Sequence, residues 1–251
     1  MRKEASRAYR RNSSDGIRIV YEDNWLLVIE KPSGMLTMST GRQGEVTAYS
    51  MLTDYVRDTS YKRTRGMRPR VFIVHRIDRD TSGLLVFAKD QDTKEALQGN
   101  WSNAVTARTY VAVTEGSPHN NEGTVTSWLK EDPRSLVMYS SPVDNGGQKA
   151  VTHYKVLRRP DDDGPNKKSG YSLVEFELET GRKNQIRIHC AVLGCPVAGD
   201  RKYGARTSPI GRLALHARTL SFIHPWTGKE MNFSTPVPKS FKSRKFQTGT
   251  Y

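Results

Sequence analysis

The stretch Val74-His75-Arg76-Ile77-Asp78-Arg79-Asp80-Thr81-Ser82-Gly83 constrains the fold of this chain more than any other. It places an imidazole, two guanidinium groups and two carboxylates between Phe72-Ile73-Val74 and Leu84-Leu85-Val86-Phe87-Ala88, which are apolar on both sides. Ionised groups at that density resist burial unless each has a partner or a task. The flanks are β-branched or aromatic, so they predict two strands with the polar stretch slung between them as a loop, Gly83 easing the exit. A loop held at both ends by a sheet is a platform for a fixed carboxylate.

The segments around it predict mostly strands. Residues 17–21 alternate and residues 25–29 are continuously apolar, with Glu22-Asp23-Asn24 between them, which describes a hairpin. Lys31-Pro32-Ser33-Gly34 breaks the second strand, and Pro32 and Gly34 read as turn chemistry. Tyr49, Leu52, Tyr55 and Val56 share one face of a helix over residues 46–57. A short helix over residues 92–97, a strand over 107–113 and two alternating runs at 151–157 and 172–178 follow, the last two joined by an acidic turn at 160–165. Asn184 stands at a helix N-cap position, with Ile186, Cys190 and Leu193 on one face and Gly194 at the stop. Strands outnumber helices and short turns link them, so the class is α+β with a largely antiparallel sheet.

Charge names the kind of partner. Forty Lys and Arg against twenty-six Asp and Glu leave +14, the footprint of a protein that meets a polyanion. Five of those cations fall in residues 61–70, a Gly- and Pro-containing loop just upstream of the central motif, where they can meet phosphates. No apolar run approaches the roughly 20 residues that a membrane span requires, and the amino terminus lacks the apolar core of a secretory signal. Two cysteines form no disulfide framework and suit a reducing compartment, so the cytoplasm is the expected location. His189, Cys190, Cys195, His216 and His224 match no usual zinc spacing, and no metal is expected. Residues 1–16 and 241–251 are basic and without period, which predicts flexible tails around one domain over residues 17–240. A monomer is the default for a basic surface that must accept a bulky polyanion.

The central motif resembles the His-Arg-Leu-Asp-x-x-Thr-Ser-Gly signature of the RluA-type RNA pseudouridine synthases, with Ile77 in place of Leu. Three further stretches agree in order: Tyr21-Glu22-Asp23 to Lys31-Pro32-Ser33-Gly34, then Arg108-Thr109-Tyr110, then Thr180-Gly181-Arg182-Lys183-Asn184-Gln185-Ile186-Arg187-Ile188-His189. Gly199-Asp200-Arg201-Lys202-Tyr203-Gly204 and Leu213-Ala214-Leu215-His216-Ala217 extend the likeness over residues 17–240. The resemblance implies the pseudouridine synthase catalytic fold, a mixed, largely antiparallel sheet with flanking helices around a central cleft. Relatives often carry an S4 domain at the amino terminus; with 16 residues before the first strand, none is expected here.

The implied reaction isomerises selected uridines of structured ribosomal or transfer RNA. The base leaves C1′, turns, rejoins through C5 and loses the C5 proton, so no oxidant and no cofactor is required. The resemblance assigns Asp78 as the catalytic carboxylate, acting at C1′, at C6 or on a ribose proton, with Asp80 as its rival. It gives Arg187 a salt bridge to that carboxylate, since an interior carboxylate stays ionised beside a cation. By the same resemblance Tyr110 is expected to stack on the target base and help remove the C5 proton, with Arg108 standing where relatives have Lys, a change that keeps charge but not geometry. A uracil must leave the stack to be reached, at a cost of a few kcal/mol, and Arg76 fills the space it vacates. His75, Arg182 and Gln185 complete the expected RNA-facing set, His75 also supporting the loop. Asn184 replaces the usual His of the His-Gln-Ile-Arg stretch. Two other classes fit parts of the pattern: a non-catalytic RNA-binding factor on the same fold, and a glycoside or nucleoside hydrolase using Asp78 and Asp80 as paired acids.

Overall fold

A computed structural model of the chain describes residues 16–59, 69–160 and 170–242. The expected acidic turn falls largely at residues 161–169, and most of the expected basic loop at 61–68, outside the described residues. The chain divides into two compact units, one formed by residues up to 106 together with 219–235, the other by 107–218 together with residues from 236 onward.

In the first unit β1 (Arg18–Glu22) and β2 (Leu26–Lys31) form the expected antiparallel hairpin. Asp23 closes its turn, Oδ1 accepting from the N–H groups of Trp25 at 2.8 Å and Leu26 at 2.6 Å. β2 is covered on both faces, Leu26, Leu27, Val28 and Ile29 being fully buried, which is why it reads as a continuous apolar run rather than an alternating one. It pairs antiparallel with β4 (Ser82–Ala88), whose seven residues are all buried, and the two-residue β3 (Phe72–Ile73) also pairs with β4. Helix α1 (Ala48–Thr59) lays Leu52, Tyr55 and Val56 on Leu27, Ile29, Leu85 and Phe87. The opposite faces, carrying Val28, Leu84 and Val86, pack with Leu97 of α2 (Gln91–Gly99) and with Leu220 and Phe222. The helix starts two residues later than the periodicity predicts because Thr47 caps it. The Ser50 N–H donates to Thr47 Oγ1 and the Thr47 N–H to Ser50 Oγ, each at 3.0 Å. A single-turn helix, α3 (Trp101–Ala104), had no sequence signal.

The second unit is an antiparallel sheet in the order β5 (Val105–Glu115), β9 (Tyr171–Leu178), β8 (Gln148–Arg158), β6 (Glu122–Glu131) and β7 (Met138–Ser141). β6 and β7 are absent from the sequence reading: β6 alternates exposed Thr and Lys with half-buried residues over most of its length, so its apolar signal is weak. Helix α4 (Gln185–Val192) covers one face, Ile188 meeting Leu129, Met138 and Ala150, and Ile186 and Cys190 joining Phe176 and Val174. Strand β10 (Leu215–Ile223) passes from the second unit into the first, where residues 219–223 pair with β11 (Glu230–Ser234). The expected tail does not begin at residue 241: Phe241 is fully buried in the second core, with the Arg212 guanidinium 5.1 Å from its ring centroid.

One glycine is required by both conformation and space. Gly199 has φ +84°, and a Cβ there would overlap the carbonyl oxygen of Arg212. Gly199→Ala is therefore expected to cost more than about 3 kcal/mol in chemical denaturation; a loss below about 1 kcal/mol would show that the Arg212 backbone yields easily.

Candidate active site

The loop over residues 74–81 lies in the first unit and is held from several sides. β3 ends after two residues, and where its ladder would continue the His75 imidazole takes over, Nε2 accepting the Val86 N–H at 3.2 Å. The same ring lies 4.8 Å from the Trp101 ring. Gln98 of α2 donates through Nε2 to the carbonyls of Ile73 at 3.2 Å and Val74 at 2.6 Å. Val74 and Ile77 are buried, anchoring the loop by apolar contact.

The carbonyls of Ile77, Arg79 and Asp80 are gathered by the end of β2 and the segment after it. Lys31 is fully buried and its Nζ donates to the carbonyls of Pro32 at 2.9 Å, Met35 at 2.7 Å and Arg79 at 2.9 Å. The Gly34 N–H also reaches the Arg79 carbonyl, at 3.0 Å, and Arg79 Nε returns a bond to the Gly34 carbonyl at 3.1 Å. Ser33 Oγ donates to the Asp80 carbonyl at 2.7 Å and Thr37 Oγ1 to that of Ile77 at 3.0 Å. The Thr81 N–H closes the turn on the Asp78 carbonyl at 3.2 Å. Every peptide carbonyl from Ile77 to Asp80 thus has a donor, and the backbone that carries Asp78 is fixed before any ligand arrives. Asp78 is half-buried, while Arg76, Arg79 and Asp80 are exposed.

Lys31 was missed as a site-organising residue because Lys-Pro-Ser-Gly reads as a turn. The available signal was its place two residues after Ile29 at the end of an apolar strand, which puts it on the face that Ile29 buries.

The other expected residues lie in the second unit. Tyr110 of β5 stands opposite Phe176 of β9, on the sheet face that α4 covers, and Arg108 shares that face two residues earlier. Burial pulls the Arg108 pKa down, with nearby Tyr110 opposing the shift. Arg187 of α4 forms a two-pronged ion pair with Asp200, Nε to Oδ2 at 2.7 Å and Nη2 to Oδ1 at 2.8 Å, and Asp200 is almost wholly buried. Its guanidinium also lies 5.0 Å from the Tyr203 ring centroid. Asp200 and Tyr203 belong to the Gly199-Asp200-Arg201-Lys202-Tyr203-Gly204 stretch, in which no residue carries an expected role.

Two expectations change. Asn184 does not cap α4 with its side chain: it sits in the left-handed region at φ 57°, and its Oδ1 accepts from the Tyr203 hydroxyl at 2.9 Å. Gln185, expected at the RNA, is 2% exposed and bonded throughout. Its Oε1 accepts from Thr180 Oγ1 at 2.8 Å and the Arg182 N–H at 2.9 Å. Its Nε2 donates to the Val151 carbonyl at 3.0 Å and Thr152 Oγ1 at 2.8 Å. Gln185 therefore orders the loop before α4 rather than offering its amide outward, while Arg182 is exposed, with Nε on the Lys149 carbonyl at 3.1 Å.

His189, one turn on, is fully buried between Thr152 Oγ1 at 2.7 Å on Nδ1 and Ser127 Oγ at 3.0 Å on Nε2. Thr152 Oγ1 also accepts from Gln185 Nε2, so one hydroxyl joins the amide to the imidazole. Both cysteine thiols are buried and free, and burial pushes Cys195 up to about 11. Among the described residues no group of three His, Cys, Asp or Glu is arranged to hold a metal ion.

Comparison with known proteins shows what the chain is similar to. The sequence profile of the RNA pseudouridylate synthases matches residues 25–192. An uncharacterized RNA pseudouridine synthase of Bacillus subtilis is 37% identical over 225 residues, covering 90% of this chain and 70% of that protein. Ribosomal large subunit pseudouridine synthase C of Rickettsia bellii is 32% identical over 225 residues, covering 89% of this chain and 69% of its own. Among solved structures, human RNA pseudouridylate synthase domain containing 4 superposes with a TM-score of 0.67 at 25% identity, over 96% of this chain and 94% of that one.

Burial lowers the His189 pKa to about 4, against an ordinary value of 6.5. Between those values the unfolded chain binds a proton that the folded one refuses, so stability is lost as pH falls from 6.5 toward 4. The loss is expected to reach about 3 kcal/mol, and His189→Leu, although less stable at neutral pH, should show a shallower fall in denaturation midpoint over that range. Equal pH dependence in the two proteins would contradict the buried neutral imidazole.

Proposed function

The chain belongs to the RNA pseudouridylate synthase family and is an RNA pseudouridine synthase, an isomerase; from that premise we propose that Asp78 carries the reaction. The observation that supports this assignment is the immobilised loop: four consecutive carbonyls around Asp78 are bonded, which leaves its side chain as the element of the loop that is set by the fold yet half accessible. Arg76, exposed two residues before it, is proposed to enter the stack in place of the flipped uridine. Tyr110 is proposed to hold the uracil ring and assist departure of the C5 proton, and Arg187 to supply the positive charge that keeps the catalytic carboxylate ionised. The N1–C1′ bond breaks, a C5–C1′ bond forms, the C5 proton leaves and N1 gains one, so atoms and electrons balance without a redox partner.

The substrate we infer is a uridine in folded ribosomal or transfer RNA, the ribosomal choice supported by the name of the Rickettsia relative. The catalytic region is taken to begin at residue 17 and to include Phe241 of the second core, in a cytoplasmic monomer; no helix among the described residues is long and apolar enough to cross a membrane.

RNA carrying tritium at uracil C5 tests the assignment. Wild-type protein should release label into water, and Asp78→Asn, still folded and still binding RNA, should release it at least about a thousandfold more slowly. Release by Asp78→Asn at the wild-type rate would remove Asp78 from the reaction.

A further inference from the structure

The turn between β6 and β7 is ordered in an unusual way for a surface loop. Asp132 Oδ1 accepts from the Arg134 N–H at 3.0 Å, the Ser135 N–H at 2.7 Å and the Ser135 hydroxyl at 2.9 Å. The Asp132 backbone bonds Val137 through its N–H and Leu136 through its carbonyl, each at 2.9 Å. Within this frame Leu136 sits at φ 55°, in the left-handed region that a bulky apolar residue rarely adopts, and its side chain is displayed rather than packed, at 61% exposure. Glycine would relieve the backbone, and water gains nothing from a leucine; neither folding nor solubility accounts for the side chain.

Cations stand on the turn and beside it. Lys202 Nζ donates to the Leu136 carbonyl at 3.4 Å and lies 5.6 Å from the Tyr203 ring, the same ring that the Arg187 guanidinium covers. Lys183 pairs with Glu131, the last residue of β6, where the turn begins. Arg134 stands exposed on the turn itself. Glu131 is neutralised by Lys183, whereas Asp132 keeps its charge while neutral donors of the turn bond it, so Arg134 and Lys202 outnumber the turn's own carboxylate around one apolar knob. Phosphates suit the cations and an unstacked base suits the leucine, a combination offered by looped or single-stranded RNA.

We propose that the turn over residues 132–137, with Leu136 at its tip and Arg134 and Lys202 beside it, is an RNA-docking surface that helps determine which RNA the enzyme accepts. The proposal rests on the reading of the chain as an RNA-modifying enzyme and adds a contact region on the second unit, which carries Arg187.

An unmodified transcript of bacterial large-subunit ribosomal RNA tests it, with Leu136→Gly and the pair Arg134→Glu with Lys202→Gln compared to wild type. Leu136→Gly should melt at or above the wild-type temperature, since it relieves the left-handed residue, yet raise KM for the transcript about tenfold with kcat within about twofold. The cation pair should weaken transcript binding about tenfold at moderate salt and make the log-log salt slope shallower by about two. Wild-type KM, affinity and salt slope in both variants would overturn the surface, leaving Leu136 to some non-RNA contact. If wild-type protein isomerises no site in the transcript, the enzymatic reading of this RNA falls, and the affinity measurements alone uphold or overturn the surface.

Discussion

A buried ammonium group carries the first unit. Removing Lys31 Nζ from water costs several kcal/mol, and the protein offsets that cost with charge-assisted bonds to the carbonyls of Pro32, Met35 and Arg79. Those carbonyls belong to two chain segments separated by more than forty residues in sequence. The lysine leaves from the end of β2, which is fully packed and paired along its length with β4. Through this one side chain the loop of Asp78 inherits the rigidity of the central strands, although the loop itself has almost no regular structure. An exposed lysine in the same place would hold nothing, because its bonds to carbonyls would compete with water on equal terms.

The second unit solves a similar problem by different chemistry. Helix α4 is eight residues long, too short to fix its own rotation, and its face is set by buried polar contacts. Gln185 and His189 meet on Thr152 of β8, which locks the helix against the sheet one turn apart. The rotation so fixed turns Arg187 toward Asp200 and the Tyr203 ring, and Gly199 lets the chain pass close to Arg212 just before Asp200. The neutral state of His189 belongs to the same arrangement, since burial among these groups disfavours the imidazolium. In each unit buried and satisfied polar groups, more than the apolar core, determine where these side chains point.

What the sequence made legible follows the strength of each local signal. The β1–β2 hairpin, the charged loop and β4 were readable because apolar runs bounded by turn residues have few alternative folds. The start of α1 was misplaced by two residues because Thr47 and Ser50 cap each other, a reciprocal contact that periodicity does not reveal. Asn184 does stand at the N-cap of α4, but its side-chain partner and that of Gln185 are not legible: an amide is equally suited to capping, to RNA and to burial, and tertiary partners decide among them. Lys31 shows the same limit, since nothing in Lys-Pro-Ser-Gly says that the strand before it is covered on both faces. Asp200 carried no mark of its own until Arg187 was placed beside it. Phe241 looked like part of a basic tail because one aromatic among lysines has no pattern; its burial depends on a core assembled from segments far away in sequence.

The direct test of this account is amide hydrogen exchange in Lys31→Met, a variant that keeps length and apolar stem but removes the three bonds. The loop amides of Gly34 and Thr81, which donate to the carbonyls of Arg79 and Asp78, should exchange roughly a hundredfold faster, with the β2–β4 ladder still protected and pseudouridine formation reduced although Asp78 is intact. Unchanged protection of those two amides, with wild-type activity, would contradict the claim that the buried ammonium holds the catalytic loop.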